Sequence, residues 1–396
     1  MQRKHKRHLK KSVKIIFLVI IIALVSTTGC ILTKRNRQSV RKDTSVSLPS
    51  PSPSTPTDQS FTMFMEGDLL YQLGCLHAAE KEDGTYDYAS QLDTITAPAS
   101  SYDVSFYNQE VPLAGEELGL TPFPHFNAPY SLGDYMVSRG FNLVSKANNH
   151  SLDKGPQGVD NSNAYWKTKT NVITAGTNST QEERDTTPVF TVNGIKVAFT
   201  AWTYGMNANV NPDDRPYLVN CYRGHEQEML DDVTKAKQNA DVVIVSMHWG
   251  DEYHSSPNEE QLTLAQQLSD AGADIIIGNH AHNIQPIQRI NNHTICFYAL
   301  GNMFSSQEVL PGTTLQNINT GMAASLTVTK KPDGTVEISE PKVDLLYTWN
   351  IDNYKEVYAT WYKDLTDDIM PDHEAYYQNY ISSVVKAMDP NVTIGL

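Results

Sequence analysis

The chain has 396 residues, 40 % of them apolar and 19 % charged, with a net charge of −14. That length and balance exclude a low-complexity or disordered polypeptide and leave room for one large domain or two ordinary ones. The charge is uneven: residues 1–42 hold 12 Lys/Arg and no Asp/Glu, so the remainder carries 19 basic against 45 acidic residues, a net of −26. So acidic a body excludes general nucleic-acid binding, and a polyanionic substrate would need a bound cation or a local Lys/Arg cluster to offset the field.

Seven Lys/Arg between Arg3 and Lys14 precede an apolar run from Ile15 to Val25. A basic start before an apolar core predicts export, with the basic end left in the cytoplasm. Residues 1–32 therefore read as a signal or anchor that holds the rest at the extracytoplasmic face of the cell membrane. Gly29-Cys30 is similar to a lipoprotein lipobox, with Thr27 where an aliphatic residue is usual. Cys30 is thus a lipidation candidate, and an uncleaved anchor is the alternative. Residues 33–60 are basic and then Ser/Pro-rich, with four prolines after Asp43, which predicts an extended stalk. Cys75, Cys221 and Cys296 lie far apart without Cys-x-x-Cys spacing, against a disulfide framework or a cysteine zinc site.

From Phe61 strands and helices alternate. Phe61–Met65 and Val104–Tyr107 read as strands, Ser131–Gly140 as a helix stopped by Gly140, and Asn142–Ala147 as a strand. A weaker helix follows over Gly155–Thr170. Pro188–Trp202 holds two strands around Asn193-Gly194, a two-residue hairpin signal. Gly224–Ala240 and Asn258–Ala271 read as helices, the second capped by Asn258 and stopped by Gly272. Val242–Met247, Asp274–Ile277 and Ile295–Leu300 are strands of buried type. Met322–Lys330 and Thr335–Ser339 flank the turn Pro332-Asp333-Gly334. Tyr354–Leu365 and Glu374–Met388 read as aromatic-rich amphipathic helices. The mixture of crossovers and hairpins predicts an α/β fold with a mixed sheet or two packed sheets.

Polar clusters sit where these strands end, the place where open α/β sheets carry their chemistry. Gly67 would let the backbone turn and aim Asp68 into the crevice. Asn108 and Glu110, two apart, would project to one face, Glu110 as a bridging carboxylate and Asn108 orienting it. Asn148-Asn149-His150 offers an amide oxygen to a cation and, in His150, an imidazole that can donate a proton to a leaving group. His248 ends a continuous apolar run. His280-Ala281-His282 in extended geometry would place both imidazoles on one side, to hold one ion or two.

In sum these runs resemble the bacterial CapA capsule-synthesis family, associated with poly-γ-glutamate, within the calcineurin-like metallophosphoesterase superfamily. The resemblance covers roughly Thr62 to Gln307. It rests on Gly67-Asp68, Asn108-Gln109-Glu110, the run Ala147 to Gly155, His248-Trp249-Gly250-Asp251-Glu252-Tyr253, Gly272 to His282, Gln285-Pro286 and Leu300-Gly301-Asn302. It implies a four-layer sandwich of two mixed sheets flanked by helices, over residues 61–346, with 347–396 as a helical C-terminal segment. It also implies a centre for one or two divalent ions (Mn, Fe or Zn). Asp68 and His282 would hold one ion and Asn149, His248 and His280 the other. Glu110 would bridge them, His150 would be the proton donor, and Asn108 and Glu252 would support. The sequence departs from the superfamily pattern at Leu70, where a His is usual, at Glu110 for Asp, at Asn279 for His, and at Ser306 for an acidic residue. These features imply an exported hydrolase acting on a phosphoester or an amide of an acidic polymer, or a non-catalytic subunit of a capsule-polymer complex with a vestigial site.

Overall fold

Strands buried on both faces build this architecture, because successive side chains enter different cores. In the strand Gln59–Leu70, Phe61, Met63 and Met65 join one apolar cluster and Phe64 another. In Val242–His248, Val242 and Ile244 face that same first cluster, while Val243, Val245 and Met247 face a third. Ile275 and Ile277 likewise oppose Ile276. The first cluster is therefore the seam between two sheets, and the other two lie on their outer faces.

The computed structural model describes residues 57–307, 314–351 and 354–396. The expected anchor, Cys30 and most of the expected stalk lie outside the described residues. Among the described residues no helix is long and apolar enough to cross a membrane. The first sheet runs Glu356–Trp361, Lys342–Ile351, Thr320–Lys330, Gln59–Leu70, Val104–Gln109, Leu143–Ser145, Ile173–Ala175. Gln59–Leu70 is antiparallel to Thr320–Lys330 and parallel to Val104–Gln109, and its last residues pair with Asn302–Ser305. The second sheet runs Val189–Val192, Ile195–Thr203, Val242–His248, Ile275–Asn279, Thr294–Phe297, Ile287–Ile290. Both sheets are mixed. Helices Leu73–Ala79, Ala89–Thr96, Tyr130–Ser138 and Gly155–Lys167 cover the outer face of the first, and Glu226–Asn239 and Glu259–Ala271 that of the second. The layers run helix, sheet, sheet, helix, the four-layer α/β sandwich expected.

Local signals explain several boundaries. Asn193 and Gly194 both take positive φ in the hairpin between Val189–Val192 and Ile195–Thr203, as a type I′ turn demands. Asn258 and Gln261 form a reciprocal capping box, and Gly272 ends that helix in the left-handed region.

The C-terminal part departs from expectation. Glu356–Trp361 is not helical. It is a strand antiparallel to Lys342–Ile351, because Val357, Ala359 and Trp361 alternate inward at a period of two. The second expected helix is present as His373–Tyr380 and a wider turn over Ile381–Val385. The strand Lys342–Ile351 crosses the expected boundary at 346/347, and Tyr362, Leu365, Tyr380 and Val385 pack into the inter-sheet core. Residues after 347 thus close the seam between the sheets. Cys75, Cys221 and Cys296 are free thiols, the first and last buried.

Candidate metal centre

The parallel strands of both sheets end at one edge, and that edge gathers the polar clusters. Asp68 lies near the end of Gln59–Leu70, Asn108 near the end of Val104–Gln109 and Glu110 just past it. Asn149 and His150 follow Leu143–Ser145, His248 closes Val242–His248, and His280 and His282 follow Ile275–Asn279. Every residue of the sequence-derived set except Glu252 is buried. Glu252 stands at the mouth, its carboxylate within 4.8 Å of ring nitrogens of His280 and His282.

Asp68 is positioned by close backbone approach. Its amide donates to Gly301 O at 2.9 Å, and a Cβ on Gly67 would lie 2.0 Å from that same oxygen. Gly67 thus serves backbone contact within a continuous strand, where the sequence suggested a turn. The pairing register slips between Met65 and Asp68, which re-aims the carboxylate into the site. Asp68 Oδ1 accepts from Asn108 Nδ2 at 2.8 Å and Oδ2 from the His280 amide at 3.0 Å. Asn108 therefore orients Asp68 and not Glu110, because the parallel register sets residue 108 beside residue 68.

The His pair is not extended. His280 and His282 have φ of 89° and 54°, so the chain coils left-handed as the strand ends. Such conformations are disfavoured for non-glycine residues and concentrate at functional sites. His282 Nδ1 lies 2.9 Å from Asn302 Oδ1 and 3.6 Å from Asp68 Oδ2. His248 Nε2 lies 3.1 Å from Asn149 Oδ1. Glu110 Oε1 stands between the two halves, 3.8 Å from His248 Nε2 and 3.8 Å from His282 Nε2.

Burial sets the electrostatics. It pushes the Asp68 carboxyl up to about 7 and raises Glu110 well above the carboxylate range, Asp68 itself adding to the latter effect. It holds His248 and His280 well below the ordinary imidazole value and His282 at about 4. Both Glu110 oxygens and His280 Nδ1 are buried with no hydrogen-bond partner. An unpaired buried carboxylate is strongly unfavourable unless a cation faces it. Carboxylate oxygen, imidazole nitrogen and amide oxygen within a few ångströms suit Mn, Fe or Zn. The residues present therefore fit a divalent ion. Asp68, Glu110 and His282 form one converging group, and Glu252, His280 and His282 another.

His150 Nδ1 lies 2.8 Å from Asp153 Oδ2, which also accepts from the Phe126 amide at 2.7 Å. The carboxylate fixes the ring and leaves Nε2 as its free nitrogen. His150, Glu252 and His282 line a cavity of about 510 Å³ together with Leu70, Phe123 and Tyr253. Leu70 is buried and offers no donor. Asn279 donates to Ser246 Oγ and Ile277 O. Ser306 hydrogen-bonds Gln72 on the cavity wall. Sequence reasoning gave no role to Asp153, Asn302, Tyr204 (ring centroid 4.6 Å from that of His280) or Glu66, whose buried carboxylate has no partner. Asp153 and Asn302 did carry a signal, lying in the runs Ala147 to Gly155 and Leu300-Gly301-Asn302.

The chain is 35 % identical over 173 residues to the PGA biosynthesis protein CapA of Bacillus subtilis, covering 42 % of this chain and 43 % of that protein. It is 32 % identical over 191 residues to the capsule biosynthesis protein CapA of Bacillus anthracis, covering 46 % and 44 %. The matches thus span less than half the length of either relative. Among solved structures, Haemophilus influenzae NAD nucleotidase aligns over 86 % of this chain and 58 % of its own at 13 % identity and a TM-score of 0.42. A putative 5'-nucleotidase from Staphylococcus aureus aligns over 82 % and 58 % at 13 % identity and a TM-score of 0.43. The family model described as bacterial capsule synthesis protein PGA_cap matches residues 62–307, and the chain belongs to that family.

Proposed function

We propose that this chain is a membrane-anchored, extracytoplasmic CapA-type protein of capsule or poly-γ-glutamate synthesis or export, with a divalent-metal site of hydrolase type. The observation that carries the metal reading is Glu110, a buried carboxylate whose oxygens have no hydrogen-bond partner, set 3.8 Å from the imidazoles of both His248 and His282. Glu110 would bridge, Asp68 and His282 would hold one ion, and Asn149, His248 and His280 a second, with Glu252 at the mouth. A divalent ion there supplies Lewis acidity, activating water and polarising a phosphoester or amide. His150, oriented by Asp153 through Nδ1 on the cavity wall, would serve as the proton donor to the leaving group through Nε2. Asn108 and Asn302 hold Asp68 and His282 in place by hydrogen bonds. The basic, apolar N-terminus supports the membrane location, and a capsule-polymer synthesis complex would be the setting.

A second reading is a scaffold or polymer-binding subunit with a vestigial site. Leu70 favours it, since a buried leucine stands where the superfamily pattern has a ligand. The test is turnover by the full chain with Mn, Fe or Zn supplied, on phosphoesters and on poly-γ-glutamate, wild type against His150→Ala. Release of phosphate or amine that the substitution abolishes supports the enzyme. Polymer binding without turnover supports the scaffold.

A further inference from the structure

A second cavity of about 330 Å³, with no residue of the metal centre on its wall, is lined in part by Asn163 and Lys167 of the helix Gly155–Lys167. Its charges are matched except one. Lys167 Nζ pairs with Glu183 at 2.6 Å, and Arg184 pairs with Asp232 at 2.7 Å and with Glu228. Lys146 is 6 % exposed and makes no ion pair among the described residues. Its single side-chain hydrogen bond runs to Asn163 Oδ1 at 2.6 Å. Asn163 is 2 % exposed, and its Oδ1 also accepts from Thr177 Oγ1 at 2.7 Å. Two donors on one oxygen fix the amide orientation, so Nδ2 is a donor, and it has no partner. A buried ammonium with spare protons and an orphaned amide thus line one cavity. Both are costly unless an acceptor meets them. Burial pushes the Lys146 amine down to about 7, the more distant charge of Glu183 opposing this only in part.

We propose that this cavity is a second ligand site, separate from the metal centre, which takes the carboxylate of a small organic acid on Lys146 and Asn163. The charge selects the class. One unmatched cation balances a monoanionic carboxylate, whereas a phosphate dianion would leave excess negative charge against Glu183 and Asp232. The volume is of the size that holds small ligands. Lys146 and Thr177 also line a smaller cavity of about 20 Å³ on whose wall Glu110 lies, whereas Glu110 does not line the larger one.

The test is calorimetric titration of the chelator-treated full chain with acetate, propionate and inorganic phosphate, the chelator removing carboxylate binding at a metal from the signal. The expected result is saturable binding of acetate or propionate in preference to phosphate. Lys146→Met should weaken it by about tenfold or more, the usual scale for a lost hydrogen bond to a charged group. Asn163→Asp, which gives Lys146 an internal carboxylate, should weaken it as much and guards against a folding defect in the first variant. No saturable carboxylate binding, equal binding by both folded variants, or preference for phosphate would overturn the proposal.

Discussion

Gly67→Ala tests how the fold aims Asp68. The added Cβ would lie 2.0 Å from Gly301 O and 3.1 Å from both Gly301 C and Leu300 Cβ. Real contacts of this kind stay beyond 3.0 Å, so the strand Gln59–Leu70 and the 300–301 segment would have to part by about 1 Å. Parting them stretches the Asp68 amide bond to Gly301 O, now 2.9 Å. Overpacking costs about 1–3 kcal/mol and a buried backbone hydrogen bond left unmade about 1–3 kcal/mol, so the loss should be roughly 2–6 kcal/mol. That is a large part of a domain's total stability. Because Asp68 rides on the displaced backbone, metal content should fall with it. Urea unfolding of the full chain, with Gly205→Ala alongside, reads the effect. Gly205 has nothing within 4 Å of its would-be Cβ and no positive φ, so its substitution should stay within about 0.5 kcal/mol. Equal midpoints for the two variants would refute the close-approach reasoning.

Asn258→Ala removes one half of the capping box of Glu259–Ala271 and should destabilise by about 1 kcal/mol in the same assay, a cost that Asn258→Ser should largely spare. Asp153→Asn leaves the fold intact but withdraws the carboxylate from His150 Nδ1; on any substrate the metal-loaded chain turns over, kcat should drop by about 10²-fold or more while KM holds, measured by steady-state kinetics. Lys146 gives a pH signature. Its amine is lowered from 10.5 to about 7 in the folded chain, so the folded state binds this proton less tightly than the unfolded state. Its contribution to stability is therefore present above pH 10.5 and lost progressively as pH falls to about 7. The stability of wild type relative to Lys146→Met should rise over that interval and lie flat below it, as read by urea midpoints across pH.

The residues of the site could be read from the sequence because each lies at or just past the end of a strand, and the parallel strands of both sheets end at one edge. Asp68, Glu110, Asn149, His150, His248, His280 and His282 are brought to one edge for that reason. Their mutual geometry could not be read. Asn108 serves Asp68 because of inter-strand register, which sequence spacing does not contain. His280 and His282 were expected in extended backbone, and only the left-handed turn lets the His280 amide reach Asp68. Glu356–Trp361 was expected as a helix because its aromatic richness masked a period of two over six residues. Lys146 and Asn163 carried no sequence signal, since their significance lies in burial and in a contact across 17 residues of sequence.

The central claim is that these residues form a metal centre, and metal content tests it most directly. Elemental analysis of the full chain should find one or two equivalents of Mn, Fe or Zn, lost in Asp68→Ala/His280→Ala and reduced in His248→Ala and in His282→Ala without unfolding. No metal in the wild type, or the same stoichiometry in all the variants, would contradict the account.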